Sequence, residues 1–112
     1  IDVRAADRFR GESEPFDPIA GHIPGAVNLP SDQYMSGAYF RPVAELRSIF
    51  DAAGVRDGVA AAAYCGSGIT AAQALFAAEL AGLTLQIYPG SWSEWSNTPW
   101  HPRARVLRAR LR

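Results

Sequence analysis

An α/β domain with a mostly parallel sheet is the fold this sequence predicts, on three observations. Short apolar runs (IDV, AVNLP, VAAAAYC, LTLQIY) alternate with helix-forming segments, the order from which parallel sheets are built. The run VAAAAYC is apolar without alternation, as a strand buried on both faces would be. That run ends at the only cysteine, Cys65, which precedes a glycine-bearing turn and then a helix. Sheets of this class bind their ligands beyond the carboxyl ends of the strands.

Each element has its own signal. The opening IDVR is β-compatible and predicts a first strand, and AADRFRG a brief helix closed by Gly11. ESEPFDPIAGHIPGA holds three prolines and two glycines and predicts irregular chain. AVNLP predicts a second buried strand ended by Pro30, and SDQYMSGAYFRP a further loop. In PVAELRSIFDAAG, Pro42 suits a first helical turn, Val43, Leu46, Ile49 and Phe50 share one face, and Gly54 suits the stop. Alanine is a poor strand former, so the strand VAAAAYC rests on its neighbours as much as on propensity. ITAAQALFAAELAG predicts the clearest helix, ended by Gly82. LTLQIYPG predicts the last strand, and SWSEWSN a short helix in which Ser91 and Glu94 fit a capping box.

A chain of 112 residues fits one domain able to bury a single core without staples. No window approaches the roughly 20 apolar residues of a membrane span, and no secretory signal precedes the first element. A cytoplasmic protein without a membrane partner is therefore expected. One cysteine makes no internal disulfide, and His22, His101 and Cys65 lack zinc-site spacing, so neither metal nor cofactor is expected. The chain opens at Ile1 directly in a strand, as a piece of a longer polypeptide would.

Formal charge is zero but uneven. All eleven basic residues are arginines, and Arg103, Arg105, Arg108, Arg110 and Arg112 crowd the last ten positions. Up to Pro102, six arginines face eleven acids, a net of −5. A basic tail can bind nucleic acid or a membrane surface. No aromatic interleaving or nucleic-acid motif accompanies this one, so a solvated terminal helix is expected, and no nucleic-acid partner.

The chemistry centres on Cys65. A thiol with an ordinary pKa near ~8.5 is only slightly ionised at neutral pH, and helix starts and concave arrays of N–H groups favour its thiolate. The following GSGIT supplies such an array: Gly66 and Gly68 permit tight curvature, and Ser67 and Thr70 add hydroxyl donors. Every neighbour can donate and none is charged, which suits a sulfur-centred anion or a persulfide. The alternative is a small buried hydrophobe, since free cysteine is among the most buried residue types. A cysteine-dependent phosphatase is disfavoured because the clamp arginine such enzymes place six residues on is here Ala71. Dinucleotide binding fits poorly, since GSGIT has two of the glycines and no fingerprint acid follows.

The set DVRAADRFRGE, AGHIPGAVNLP, AELRSIFDAAGV, AYCGSGITAA and YPGSWSEWSN resembles the rhodanese-like sulfurtransferases, over roughly residues 1–100. It looks most like the C-terminal, catalytic domain of the two-domain thiosulfate and 3-mercaptopyruvate sulfurtransferases. The resemblance implies a three-layer domain with a central, mostly parallel five-stranded sheet flanked by helices. It implies one rhodanese domain over 1–112, the C-terminal half of a tandem protein, with 103–112 as an arginine-rich tail.

By the same resemblance Cys65 is the nucleophile that carries sulfane sulfur as a persulfide. Gly66, Ser67, Gly68, Ile69 and Thr70 form the loop around that sulfur, and Ser67 assists thiol activation. Arg8 binds the anionic donor. The implied partners are a small anionic donor, an acceptor (cyanide, a thiol or a dithiol protein) and an N-terminal rhodanese domain. Phe16 stands where mercaptopyruvate enzymes often carry a second arginine. His22 is expected to be a scaffold residue, Trp92, Trp95 and Trp100 to pack on the sheet edge or a partner domain, and Asp2 and Arg4 to tie the first strand to nearby loops. A non-catalytic interaction module of the same fold is the alternative, though such modules usually lack the cysteine.

Overall fold

The structure, a computed structural model, describes residues 1–66 and 69–104. Four stretches run parallel in the order 27–29, 1–3, 62–64, 86–88. Asp2 lies in the middle, bridging Asn28 on one side and Tyr64 on the other. Its N–H donates to Val27 O at 2.8 Å and its carbonyl accepts Leu29 N–H at 2.8 Å. On the far side, Val3 N–H reaches Tyr64 O and Tyr64 N–H reaches Ile1 O. The α/β architecture expected from the sequence is therefore present, with short ladders.

In chain order the elements are α1 (Ala6–Phe9), a 3₁₀ turn (Ser31–Gln33), β1 (Met35–Ser36), β2 (Tyr39–Phe40), α2 (Val43–Ala52), β3 (Ala62–Ala63), α3 (Ile69–Leu80), β4 (Gln86–Ile87) and α4 (Ser91–Ser96). The expected loop at 31–42 contains an antiparallel hairpin, β1 with β2, closed by Gly37-Ala38. Gly37 has φ 61°, and glycine first in a two-residue hairpin turn is what that turn favours. The strand expected to be buried on both faces is so only at its end. Val59 and Ala62 are exposed, whereas Ala63, Tyr64 and Cys65 are buried.

Helices α2 and α3 pack on one another and α3 packs on β3 and β4. Leu46 and Phe50 supply the buried face of α2. Among the described residues the fully buried positions of α3 are all alanine (Ala71, Ala74, Ala77, Ala78), with Leu75 half-buried against the core beside them. Phe76 and Leu80 point outward, Phe76 against the Phe40 ring at 5.6 Å. Arg47 of α2 donates to Ala81 O at 2.8 Å, satisfying a carbonyl at the end of α3. Among the described residues no helix is long and apolar enough to cross a membrane.

The segment 12–26 is irregular, as expected, and is fastened by buried polar groups. His22 Nδ1 donates to Phe9 O at 2.7 Å, and its ring stacks on Phe9 at 3.8 Å. Its backbone pairs with Ala104. Burial, which outweighs the Phe9 carbonyl, pulls the His22 pKa below its ordinary 6.5. The unfolded chain therefore binds the extra proton first, so this histidine's contribution is complete above pH 6.5 and is lost as pH falls below it. Thermal melts of the parent should show this decline, and His22→Asn, which cannot titrate there, should be flatter across the same window.

Arg103 donates to Ser96 O at 3.3 Å. The rest of the arginine-rich tail, 105–112, lies outside the described residues.

Candidate active site

Cys65 sits where the chain leaves the ladder after β3. Its N–H donates to Ser91 Oγ at 3.0 Å. Its carbonyl accepts Trp92 N–H at 2.9 Å, and the Gly66 carbonyl accepts Ser93 N–H at 3.0 Å. The first turn of α4 thus grips the Cys65–Gly66 backbone from one side. The Cys65 residue is 3% exposed and packs with the core, yet it forms part of the wall of a cleft of about 520 Å³. Arg8, Phe16 and Asp17 from the 8–17 segment, Gly66 and Thr70 beside Cys65, and Ser93 from α4 complete the lining.

Arg8 lies on α1 and its guanidinium covers Gly66: a Cβ on that glycine would stand 3.2 Å from one terminal nitrogen and 3.4 Å from the other. Gly66, having no side chain, leaves the Arg8 guanidinium room to lie over the backbone next to Cys65. Arg8 stacks on the Phe16 ring, which is 81% exposed, at 5.3 Å and donates to Glu14 Oε2 at 3.3 Å. Its Nε is buried and makes no hydrogen bond among the described residues.

Glu14 organises this wall. Its carboxylate, 5% exposed, joins Arg8 to Arg4 (3.4 Å to Oε1) and accepts the N–H groups of Phe16 and Asp17 at 3.1 and 3.0 Å. One buried acid thereby shapes the loop carrying two of the cleft residues. Asp17 in turn accepts the Ser93 hydroxyl at 3.0 Å, tying that loop to α4.

Beneath lies a buried ion pair. Arg4 donates to both Asp2 oxygens, at 2.7 Å to Oδ2 from its terminal nitrogen, and to Gly21 O at 2.6 Å. It lies over Trp92 at 4.9 Å. Burial opposes the Arg4 charge, but the Asp2 hydrogen bonds and charge, with Tyr64 and Glu14, raise its pKa further. Tyr34, wholly buried, has its phenol pushed up to about 12, by burial first and by the neighbouring Cys65 second. It stays neutral.

The structure brings Arg8, Cys65, Gly66 and Thr70 together around one cleft. Ile69 opens α3, and Ser67 and Gly68 lie outside the described residues. His22 is buried and bound to Phe9, as a scaffold residue. Trp92 is buried with its indole N–H on Ile19 O, Trp95 stacks on His101, and Trp100 is 80% exposed. The capping box expected at Ser91 does not form. Gly90 takes the N-cap place without a side-chain bond, the Ser91 hydroxyl serves Cys65, and Glu94 accepts the Tyr88 hydroxyl. Of the residues that build this site, Glu14, Asp17 and Ser93 were not singled out by sequence reasoning, and Ser91 was misassigned as a cap. For Glu14 a signal existed, an acid before proline in a segment that must satisfy nearby arginines.

The rhodanese-like domain model matches residues 1–98. The chain belongs to the rhodanese-like domain family.

Relatives of this rhodanese-like domain agree on chemistry. It is 41% identical over 106 residues to a Mycobacterium tuberculosis protein named as a thiosulfate sulfurtransferase, SseB, covering 94% of this chain and 37% of that protein. It is 49% identical over 107 residues to a Pseudomonas aeruginosa protein named as a 3-mercaptopyruvate sulfurtransferase (93% and 38%), and 44% identical over 100 residues to human 3-mercaptopyruvate sulfurtransferase (85% and 33%). The chain therefore spans little more than a third of the relatives it matches. Among solved structures it superposes on a variant of EanB that carries a cysteine persulfide, in a state with ergothioneine. The TM-score is 0.84 at 29% identity, covering 93% of this chain and 27% of that one.

Proposed function

We propose that this rhodanese-like domain carries the nucleophile of a sulfurtransferase that moves sulfane sulfur from thiosulfate or 3-mercaptopyruvate to a thiophilic acceptor through a Cys65 persulfide. The observation that carries the reading is the position of the thiol: Cys65 lines a cleft in which the Arg8 guanidinium lies over Gly66. A nucleophile and an anion-binding group thus share one small site.

The first step is displacement at sulfur. The Cys65 thiolate attacks the outer sulfur of thiosulfate, a new S–S bond forms, and the old one breaks with its electron pair leaving on sulfite. With 3-mercaptopyruvate the C–S bond breaks instead, and the pyruvate enolate that leaves takes up a proton. In the second step cyanide, a thiol or a dithiol protein attacks the outer sulfur of the persulfide, and the Cys65 thiolate returns. The loop Gly66–Thr70 is the cradle for the transferred sulfur in this scheme. Arg8 holds the donor's anionic end, with Phe16 as the apolar flank of the mouth. Because the chain covers about a third of its relatives, an N-terminal rhodanese domain facing the cleft belongs to the proposal.

Intact-mass measurement tests it. Incubation with thiosulfate, and separately with 3-mercaptopyruvate, should add one reductant-labile sulfur, about 32 Da, as nucleophilic catalysis through a persulfide demands. No gain with either donor, in this chain and in the full-length protein alike, would overturn the reading.

Arg8→Ala should raise the donor concentration for half-loading by about 10- to 100-fold, the equivalent of losing a charge-assisted hydrogen bond. Arg8→Lys should fall between, since an ammonium keeps the charge without the planar fork. Loading that saturates in Arg8→Ala at the parental concentration would remove Arg8 from donor binding.

A further inference from the structure

We propose that Ser91 is a positioning residue for the nucleophile, fixing the end of β3 so that Cys65 meets the donor in one geometry; this rests on the sulfurtransferase reading. Ser91 is the one non-glycine among the described residues with a left-handed backbone, φ 55°. Side chains crowd their own backbone there, and glycine would take the place without strain. A strained serine directly after Gly90 means that its side chain is used.

The use is visible in the hydrogen bonds. Ser91 is wholly buried, its Oγ accepts the Cys65 N–H at 3.0 Å and donates to Tyr88 O at 2.9 Å. Tyr88 N–H in turn donates to Ala63 O at 2.9 Å. The relay closes on itself: β3 holds the chain after β4, that chain holds Ser91, and Ser91 holds Cys65, two residues past β3. The left-handed turn aims the hydroxyl back at Cys65 while Trp92 and Ser93 still donate to the Cys65 and Gly66 carbonyls. Without the hydroxyl, the Cys65 N–H stands in a dry place without that acceptor. The strand end then shifts to satisfy it, and Gly66 with it. Arg8 lies 3.2 Å from the Cβ position of Gly66, so a shift there alters the spacing between thiol and cation.

Ser91→Gly separates position from fold, because it removes the hydroxyl and the strain together, whereas Ser91→Ala removes only the hydroxyl. Loading of Cys65 would be followed by mass against thiosulfate concentration, per folded molecule as judged by urea titration. Both variants should load with a maximal rate at least about tenfold lower and a nearly unchanged half-loading concentration, since misplacement of a reacting atom costs rate rather than binding. A role confined to stability would move neither value. Alkylation of Cys65 by iodoacetamide under native conditions should become severalfold faster in both as the strand end loosens. Ser91→Gly loading at the parental maximal rate overturns the assignment. If the parent takes up no sulfur, the sulfurtransferase reading fails, and alkylation still decides Ser91: the parental rate in Ser91→Gly overturns its positioning role.

Discussion

Cys65→Ser is expected to abolish sulfur uptake while leaving a folded domain. Cys65 is buried and gripped through its backbone by Ser91 and Trp92, interactions that a serine keeps. The two side chains differ by one atom of similar size, so the core is neither opened nor overfilled. The hydroxyl is placed among apolar neighbours, a cost of about 1–3 kcal/mol if it goes unbonded. Chemistry is affected far more. A serine hydroxyl at neutral pH is not ionised and forms no persulfide, so the gain of about 32 Da with thiosulfate should vanish rather than slow. Circular dichroism and a cooperative urea transition would show that the fold persists. A serine variant that transferred sulfur at the parental rate would remove Cys65 from the mechanism.

Asp2→Asn should produce the largest loss of stability, about 3–5 kcal/mol, because it leaves Arg4 charged in a dry interior. Arg4 and Asp2 side chains are 1% and 0% exposed, and the remaining partners are Gly21 O and Glu14 at 3.4 Å. Against a total of about 5–15 kcal/mol for a domain of ordinary stability, that is a large share. The urea midpoint should fall accordingly. Asp2→Asn combined with Arg4→Met should recover much of the loss, since deleting both charges leaves none unpaired. A double variant no more stable than Asp2→Asn alone would mean that Arg4 contributes by packing on Trp92 rather than through charge.

The helices α2 and α3 were legible in the sequence to within two residues, because proline, glycine and apolar spacing act locally. Cys65 was legible for the same reason: a strand end, a glycine turn and a helix start are neighbours in sequence. The hairpin at 35–40 carried its signal in Gly37 beside Ala38, between residues too few to show a period. Burial along 59–65 was not legible, since a run of alanines reads the same on a covered and an open face. Ser91 looked like a helix cap because serine three before glutamate is a cap in isolation. Its partner is 26 residues away, and a long-range contact leaves no periodic trace. Glu14 was legible only as an acid before proline near the arginines; that it joins Arg4 to Arg8 is set by the fold.

The inner strand around Asp2 pairs with segments far along the chain, and this governs assembly. Val3 finds one partner at Tyr64, and Asp2 another at Val27, so the ladder at the middle has to span some sixty residues on one side. Closing so long a loop is an entropic toll met before any of the core can form. Helices of ten and twelve residues are too short to persist before that closure. The domain therefore belongs among topologies whose folding waits on distant pairing, and the cleft around Cys65 is completed only after the last strand and α4 have joined.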